Sequence, residues 1–358
     1  MIARKQLRKK RLIIGSLNTV GQASSWARAV RTHALTDAES WCSGRVARSR
    51  LYNYPAERLL EESSISSRIG IAKIHLDAAR HASHVVLESG RTIAGLGGGR
   101  YTLLSAIALR VAGCHPAIVF HGSELRSPLR NMKSRDESPF FGLDSEFVAR
   151  LERQSKSVKK LISRWPFRLF VSTIDLLSEV PTATWLPVVP DDDWFAGMKP
   201  INVSATKPKV LHLPSSRELS NSTQIELVGN LLDAQGLIEF RTVTGLSPSD
   251  VRREVEWADI VIDKIGIGVY GVMAVQVMAS GRLLIGDVDA ITRERVPDLP
   301  LIQSSIATLE SVIRDLVADR STWAARAAAG QAFARKYHDG RYSAAVLAKW
   351  MGVSVNQP

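Results

Sequence analysis

The chain has little cysteine: Cys42 and Cys114 are the only two in 358 residues. Two thiols cannot make a disulfide framework, so the stapled secreted class is excluded and a reducing compartment is favoured. Aromatic residues make up only 6%. With no zinc-ligand spacing and no stacking signature beside the basic charge, nucleic acid is a poor partner. No apolar run approaches the ~18 residues of a membrane-spanning helix. The opening MIARKQLRKKRLIIGSL offers only Leu12-Ile13-Ile14 as an apolar stretch and does not look like a signal peptide. A cytoplasmic protein is the expectation. Neither His-Glu-x-x-His nor Gly-x-Ser-x-Gly occurs, which removes two common hydrolytic classes.

Basic charge is in excess. The net charge is +12, and six of the residues 4–11 are Arg or Lys (Arg4, Lys5, Arg8, Lys9, Lys10, Arg11). Such a cluster suits an anionic membrane surface, where each cation contributes about 1 kcal/mol, or else it is a solvated tail. Hydrophobic content of 45% supplies two ordinary cores, and the length suggests two domains.

From residue 11 the pattern alternates strand and helix. Strand 11–17 leads through the loop NTVGQ into a helix at 23–31. HVVLE at 84–88, 117–120 and 168–172 read as further strands, with helices at 68–82, 101–111 and 144–163 between them. Residues 52–67 are irregular. Ser127–Gly142, rich in Arg, Ser and Pro, reads as a mobile surface loop. After the linker-like 191–208, the alternation resumes: strand 210–213, helix 222–234, strand 238–243 and a helix opened by Ser247-Pro248. Helices at 305–319, 321–337 and 341–351 close the chain. The implied architecture is α/β, with two Rossmann-like domains facing across a cleft and a C-terminal helix able to return to the first. The expected bounds are 1–195, a linker 196–208, 209–337, and a C-terminal helix at 338–358.

Asp259–Gly286 is the most informative stretch. Ile260-Val261-Ile262 ends at Asp263; glycines follow at 266, 268 and 271, then the segment Val272–Ala279, apolar except at Gln276, then Leu283-Leu284-Ile285. A helix apolar all round is buried, and a lone amide within it needs a partner. In an open parallel sheet, ligands sit at the carboxyl ends of strands. The loop and Gln276 therefore point either to a bound ligand or to a tight crossover with an incidental glutamine.

Several pieces resemble the GT-B glycosyltransferases related to family four: HGSELR at 121–126, LHLPSSRELSNST at 211–223, WADIVID at 257–263 and GVYGVMAVQVMASGR at 268–282. The resemblance runs through most of the chain and is strongest across 205–286. It implies an N-terminal acceptor-binding domain, a C-terminal nucleotide-sugar-binding domain, retention of configuration, and no metal cofactor. The donor would lie on Gly268, Val269, Tyr270, Gly271, Val272 and Gln276, with Ser216 and Ser220 beside it, the diphosphate meeting free backbone N–H groups at a helix start. Arg217 would stabilise the leaving diphosphate and His121 would contact the donor sugar. Asn18, Gly21 and Gln22 would border the acceptor, and Glu124 and Arg126 would order their loop or bind acceptor, unless they form only a local ion pair.

The chain departs from the family at three positions. Gln276 stands where a glutamate usually accepts from the ribose, Gly268 where a second carboxylate is common, and Ser220 near the usual lysine of the diphosphate clamp, with Asn221 where glycine is usual. Asp191-Asp192-Asp193 matches an Asp-x-Asp metal signature formally, but its place after Pro190 in a linker marks a turn or helix cap. The expected function is transfer of a sugar from a nucleoside-diphosphate sugar to a hydroxyl of a glycan, lipid-linked or other cell-surface precursor. The alternative is an impaired GT-B protein serving as a binding or partner subunit.

Overall fold

The computed structural model describes residues 10–43 and 54–356. Arg4, Lys5, Arg8 and Lys9 of the basic N-terminal cluster lie outside them. The other two members of that cluster serve the fold. Lys10 donates to the carbonyls of Met351 (2.6 Å) and Gly352 (2.7 Å), and Arg11 pairs with Asp37 (3.2 Å) and Glu39.

Two sheets form, and every strand pair in them is parallel. The first contains β1 (Arg11–Ser16), β2 (Asp37–Ser43), β3 (Arg58–Leu60), β4 (His84–Glu88), β5 (His115–Phe120), β6 (Arg168–Val171) and β7 (Thr184–Trp185), in the order β3-β2-β1-β4-β5-β6-β7. The second contains β8 (Lys209–His212), β9 (Glu239–Thr242), β10 (Ile260–Ile262), β11 (Leu283–Gly286) and β12 (Ile302–Gln303), in the order β12-β11-β10-β8-β9. The strands are continuous apolar runs because helices cover both faces of such sheets. Leu12, Ile13, Ile14, Ile260, Val261 and Ile262 are fully buried.

Each sheet reverses its winding once. In the first the switch lies between β1 and β4; in the second it lies between β8 and β10. Crevices open at such points beyond the carboxyl ends of the strands. The loops delivered there are 17–21 and 89–98 in the first half, and 213–221 and 263–271 in the second.

The C-terminal helix, Arg341–Met351, returns to the first sheet. Its Leu347, Ala348 and Met351 share a core cluster with Leu12, Ile14 and Trp26. Ser343 Oγ donates to the Pro187 carbonyl at 2.8 Å, and Trp350 meets His84 edge to face at 4.7 Å.

The segment 127–142, expected as a mobile surface loop, is instead structured and anchored. It contains the helix Pro128–Ser134, capped by Ser127, and a 3-10 turn at Pro139–Gly142. Asn131, Ser138 and Phe140 are buried. The segment reaches the second half at several points. Asn131 Nδ2 donates to the Ile267 carbonyl (3.1 Å), and Asn221 Nδ2 donates to the Glu137 carbonyl (2.8 Å). The Glu137 carboxylate accepts from Ile306 N (2.6 Å) and Ala307 N (3.0 Å) at the start of the helix Ile306–Ala318. Arg135 pairs with Asp287. Proline and serine content suggested an unattached loop because it carries no information about partners elsewhere in the chain.

Asp287 is mostly buried, and burial raises its pKa above the ordinary carboxylate value against the opposing pull of Arg135. Its charged form is the costly one, so the stability it costs grows as pH rises through that raised pKa. Arg135→Met removes the counter-ion and should lower stability at neutral pH by about 2–4 kcal/mol. The loss should shrink on acidification, where protonated Asp287 needs no cation. Urea unfolding at neutral and at acid pH checks this; an equal loss at both would refute the ion-pair account.

Candidate functional site

The first-half loops are organised by a residue that the sequence reading treated only as the end of a strand. Glu88 closes β4 and is fully buried. Its carboxylate accepts from the backbone N–H groups of Leu17 (2.8 Å), Asn18 (2.8 Å) and Thr19 (3.2 Å). Burial alone would raise its pKa, but the neighbouring His121 imidazole and the N–H donors outweigh it and hold the carboxyl below its ordinary value. His121 Nε2 lies 3.3 Å from Glu88 Oε1, close enough for electrostatic attraction but without the alignment of a hydrogen bond. The imidazole stacks on Trp26, with centroids 5.7 Å apart and planes 10° from parallel. The indole is fixed in turn by its N–H on the Pro187 carbonyl at 2.8 Å.

Glu124 orders the loop after β5. It accepts from His121 N (2.7 Å), Gly122 N (3.0 Å) and Ser89 Oγ (2.8 Å). Arg126 makes a two-pronged ion pair with Asp175 at 2.9 and 2.6 Å. The ion partner of Arg126 is thus Asp175 rather than Glu124, and Glu124 orders its own loop.

The loop after β1 is strained. Asn18 and Val20 have φ of 51° and 49°, and Gly21 follows at 73°. A β-branched residue in the left-handed region is a genuine outlier, of the kind that clusters at functional sites. Asn18 tolerates it because its side chain bridges: Oδ1 accepts from Ser24 N (3.1 Å) and Nδ2 donates to the Pro55 carbonyl (3.0 Å). Gln22 is a structural tie. Its side chain both accepts from Val189 N (2.8 Å) and donates to the Val189 carbonyl (3.2 Å).

Val20, Gly21 and Gln22 line a cavity of about 220 Å³ that Val272 and Gln276 close from the second half. Arg28 and Arg31, from the helix Gln22–His33, also line it, together with Tyr54 and Asp191. Arg28 pairs with Asp191 (3.3 Å) and Asp192 (3.6 Å), and Arg31 with Glu57 (2.7 Å). Asp191 is thus a wall of the cavity and the acidic turn answers an arginine. Among the described residues no cluster of three His, Cys, Asp or Glu side chains could hold a metal ion.

Gln276 is half-buried at the edge of this cavity rather than sealed in the core, and its side chain makes no hydrogen bond among the described residues. Both its donor and its acceptor are therefore free to meet whatever occupies the cavity. The glycine loop has a different explanation from the one its spacing suggested. Gly266 has φ 92° and Gly268 φ 84°, and the segment 127–142, which straps the first half to the second, lies against both: a Cβ at 266 would strike the Glu137 carbonyl, and one at 268 the Arg135 guanidinium. These two glycines admit another segment of the protein. Tyr270 is buried between helices, its ring edge-on to His338 at 5.7 Å, and burial pushes its pKa upward. Val269 is buried too.

Across the second switch point, Arg217 is exposed and grips Glu226 at 2.5 and 2.6 Å. That pairing raises its pKa. Ser216 donates to Glu218 (2.9 Å), and Ser220 is buried. Asn221 keeps the left-handed conformation that glycine would supply, with φ 52°, and its amide reaches the Ile265 carbonyl at 3.1 Å. A cation that sequence reasoning overlooked is Lys264. Its Nζ is 3.3 Å from Asp263 and would lie 3.7 Å from a Cβ on Gly271, beside the start of the helix Val272–Ala279. The lysine was sought near residue 220, whereas the loop after β10 carries one on the other wall of the same crevice.

No family model matches the chain, and no curated protein matches it. Solved structures do. Sucrose-phosphate synthase from Thermosynechococcus elongatus superposes with a TM-score of 0.60 at 11% identity, covering 96% of this chain and 98% of that one. HepE from Anabaena, in complex with UDP, gives 0.56 at 11%, covering 96% and 99%. MnaA from S. aureus, also with UDP, gives 0.54 at 12%, covering 98% and 99%. At such identities the likeness speaks for architecture alone: this chain has the GT-B fold, two Rossmann-like halves facing across a cleft.

Proposed function

We propose that the protein is a glycosyltransferase that moves a sugar from a nucleoside-diphosphate sugar to a hydroxyl of a glycan, lipid-linked or other cell-surface precursor, with retention and without a metal. The observation carrying this reading is the full-length match to a fold of which two solved examples, MnaA and HepE, are complexes with UDP, combined with the unpartnered Gln276 at a cavity between the halves. The first half takes the acceptor and the second the donor.

In this reading Gln276 accepts from a ribose hydroxyl, and the backbone at 269–272 receives the diphosphate. Lys264 supplies the second cation that Ser220 lacks, because its ammonium already stands beside Gly271. Arg217 joins it by releasing Glu226; the pair is exposed, so exchanging partners costs little. His121 is a sugar-contacting group whose ring is held by Trp26 and Glu88. The bond from the sugar C1 to the diphosphate oxygen breaks as the bond to the acceptor oxygen forms on the same face. The acceptor proton passes to the leaving phosphate oxygen, so no strong protein base is needed. Asn18, Gly21 and Gln22 shape the acceptor wall.

A second reading is a partner subunit without turnover. Its motive is the three concurrent departures at Gly268, Ser220 and Gln276. Calorimetry against UDP, GDP, ADP, CDP and dTDP separates the outcomes. One of them should bind, and Lys264→Ala should weaken it roughly tenfold to a hundredfold, the value of one charge-assisted contact. Binding to none would sink the donor assignment. Binding without transfer, with transfer restored by Gln276→Glu, would establish the second reading instead.

The role of Glu88 is testable independently. Its folded pKa is depressed, so its stabilisation is present above the ordinary glutamate pKa and is lost as pH falls through the folded value. Glu88→Gln should cost about 1–3 kcal/mol at neutral pH, with parent and variant converging in acid. A thermal-melt difference that stays constant with pH would contradict the charged, N–H-bound state described above.

A further inference from the structure

The outer face of the first half carries an apolar stripe that the fold does not use. In the helix Gly99–Val111, Tyr101, Leu104, Ile107 and Val111 recur at helical spacing and are 62%, 54%, 42% and 84% exposed. The helix Arg68–His81 lies alongside, joined to it by His75 Nε2 on Ser105 Oγ at 2.6 Å. It adds exposed Ile69 and Leu76. A contiguous exposed apolar patch on one face marks an interaction site, whereas isolated exposed apolar residues do not.

The charge around the stripe identifies the partner. Arg68, Lys73, Arg80, Arg100, Arg110 and Lys160 are all exposed around it. The helix Gly99–Val111 contains no acidic residue. Asp77 on its neighbour is taken up by Arg58 and His81. On the third helix of this face, Ser145–Ile162, Glu152 is buried against Ser127 Oγ at 2.7 Å, and the exposed Glu146 in its first turn is outnumbered by Arg150, Arg153, Lys156, Lys159 and Lys160 on the same helix. Apolar residues along a helix, ringed by uncompensated cations, are the pattern of an element lying in a bilayer interface rich in anionic lipid. The helix also begins at the carboxyl edge of the sheet, the edge that carries Glu88 and His121.

We propose that this face, centred on the helix Gly99–Val111, docks the protein on an anionic membrane surface. The inference stands apart from the sugar-transfer reading, since it uses no residue of the cavity. It also differs in origin from the basic N-terminal cluster, two of whose cations are spent within the fold.

The test is flotation of the full-length chain with vesicles of phosphatidylcholine alone and of phosphatidylcholine mixed equally with phosphatidylglycerol. The parent should float with the anionic vesicles and much less with the neutral ones. The double variant Leu104→Glu/Ile107→Glu should partition about tenfold or more weakly, with an unchanged melting transition, since both side chains are exposed. Should that variant fail to fold, Arg100→Glu/Arg110→Glu carries the same expectation. Leu227→Glu, an exposed leucine of the second half, should bind as the parent does. Unchanged flotation of the stripe variant, or an equal loss in Leu227→Glu, overturns the proposal. So does a parent that sediments as a dimer and a stripe variant that sediments as a monomer, since a second copy would then cover the stripe.

Discussion

A buried carboxylate on three backbone N–H groups governs the cleft side of the first half. Glu88 ends the central strand at the switch point, and an ionised side chain there is tolerable only if fully satisfied. The chain satisfies it by turning the loop after β1 back over it, which places Asn18 and Val20 in the left-handed region. Charge-assisted bonds, each about 1.5–3 kcal/mol, outweigh the ~1–3 kcal/mol of strain at such a residue. The same carboxylate draws His121 toward it. One acidic residue therefore sets the loop that shapes the cavity wall and the imidazole at the adjacent strand end.

The second half solves a similar problem by borrowing from the first. Its glycine loop has room for a close neighbour, and the strap from 127–142 takes that room with Arg135 and the Glu137 carbonyl. Asp287 would be a costly buried charge without Arg135, and Glu137 takes the Ile306 and Ala307 N–H groups that the Ser305 cap of that helix leaves over. The two halves are thereby coupled through ionic and helix-end contacts in addition to an apolar cluster that holds Ile174, Leu176 and Val188 of the first half with Tyr270, Ala274 and Val288 of the second.

Much of the fold was legible because parallel strands in a doubly covered sheet must be apolar on both faces. LIIGS, HVVLE and DIVID therefore announced themselves, and Ser247-Pro248 marked a helix start that the structure keeps. The strap and the roles of individual site residues were not legible in the same way. Composition at 127–142 reported polarity and proline, but the partners that order it lie more than a hundred residues away at Ile267, Asp287 and Ile306. Glu88 read as the last residue of a strand because nothing local distinguishes a buried carboxylate from an exposed one. Lys264 is not legible as a partner of Arg217 because 47 residues separate them in the chain, while the topology places the loops after β8 and β10 side by side.

Gln276 illustrates how the structure alters a question that the sequence raises. In the sequence it is an amide inside an apolar octapeptide, and a buried amide without a partner is a defect. In the structure it faces the rim of a cavity walled by Gly21 and Gln22 from the other half, so the absence of a protein partner carries no burial penalty. An amide offers both a donor and an acceptor where a carboxylate offers acceptors alone. Under the proposed function a ribose needs acceptors, so the glutamine would sacrifice charge assistance at that contact and would have to recover it elsewhere in the site. Lys264 beside Gly271 would do so at the diphosphate under the same proposal, moving recognition of the nucleotide from its sugar toward its phosphates.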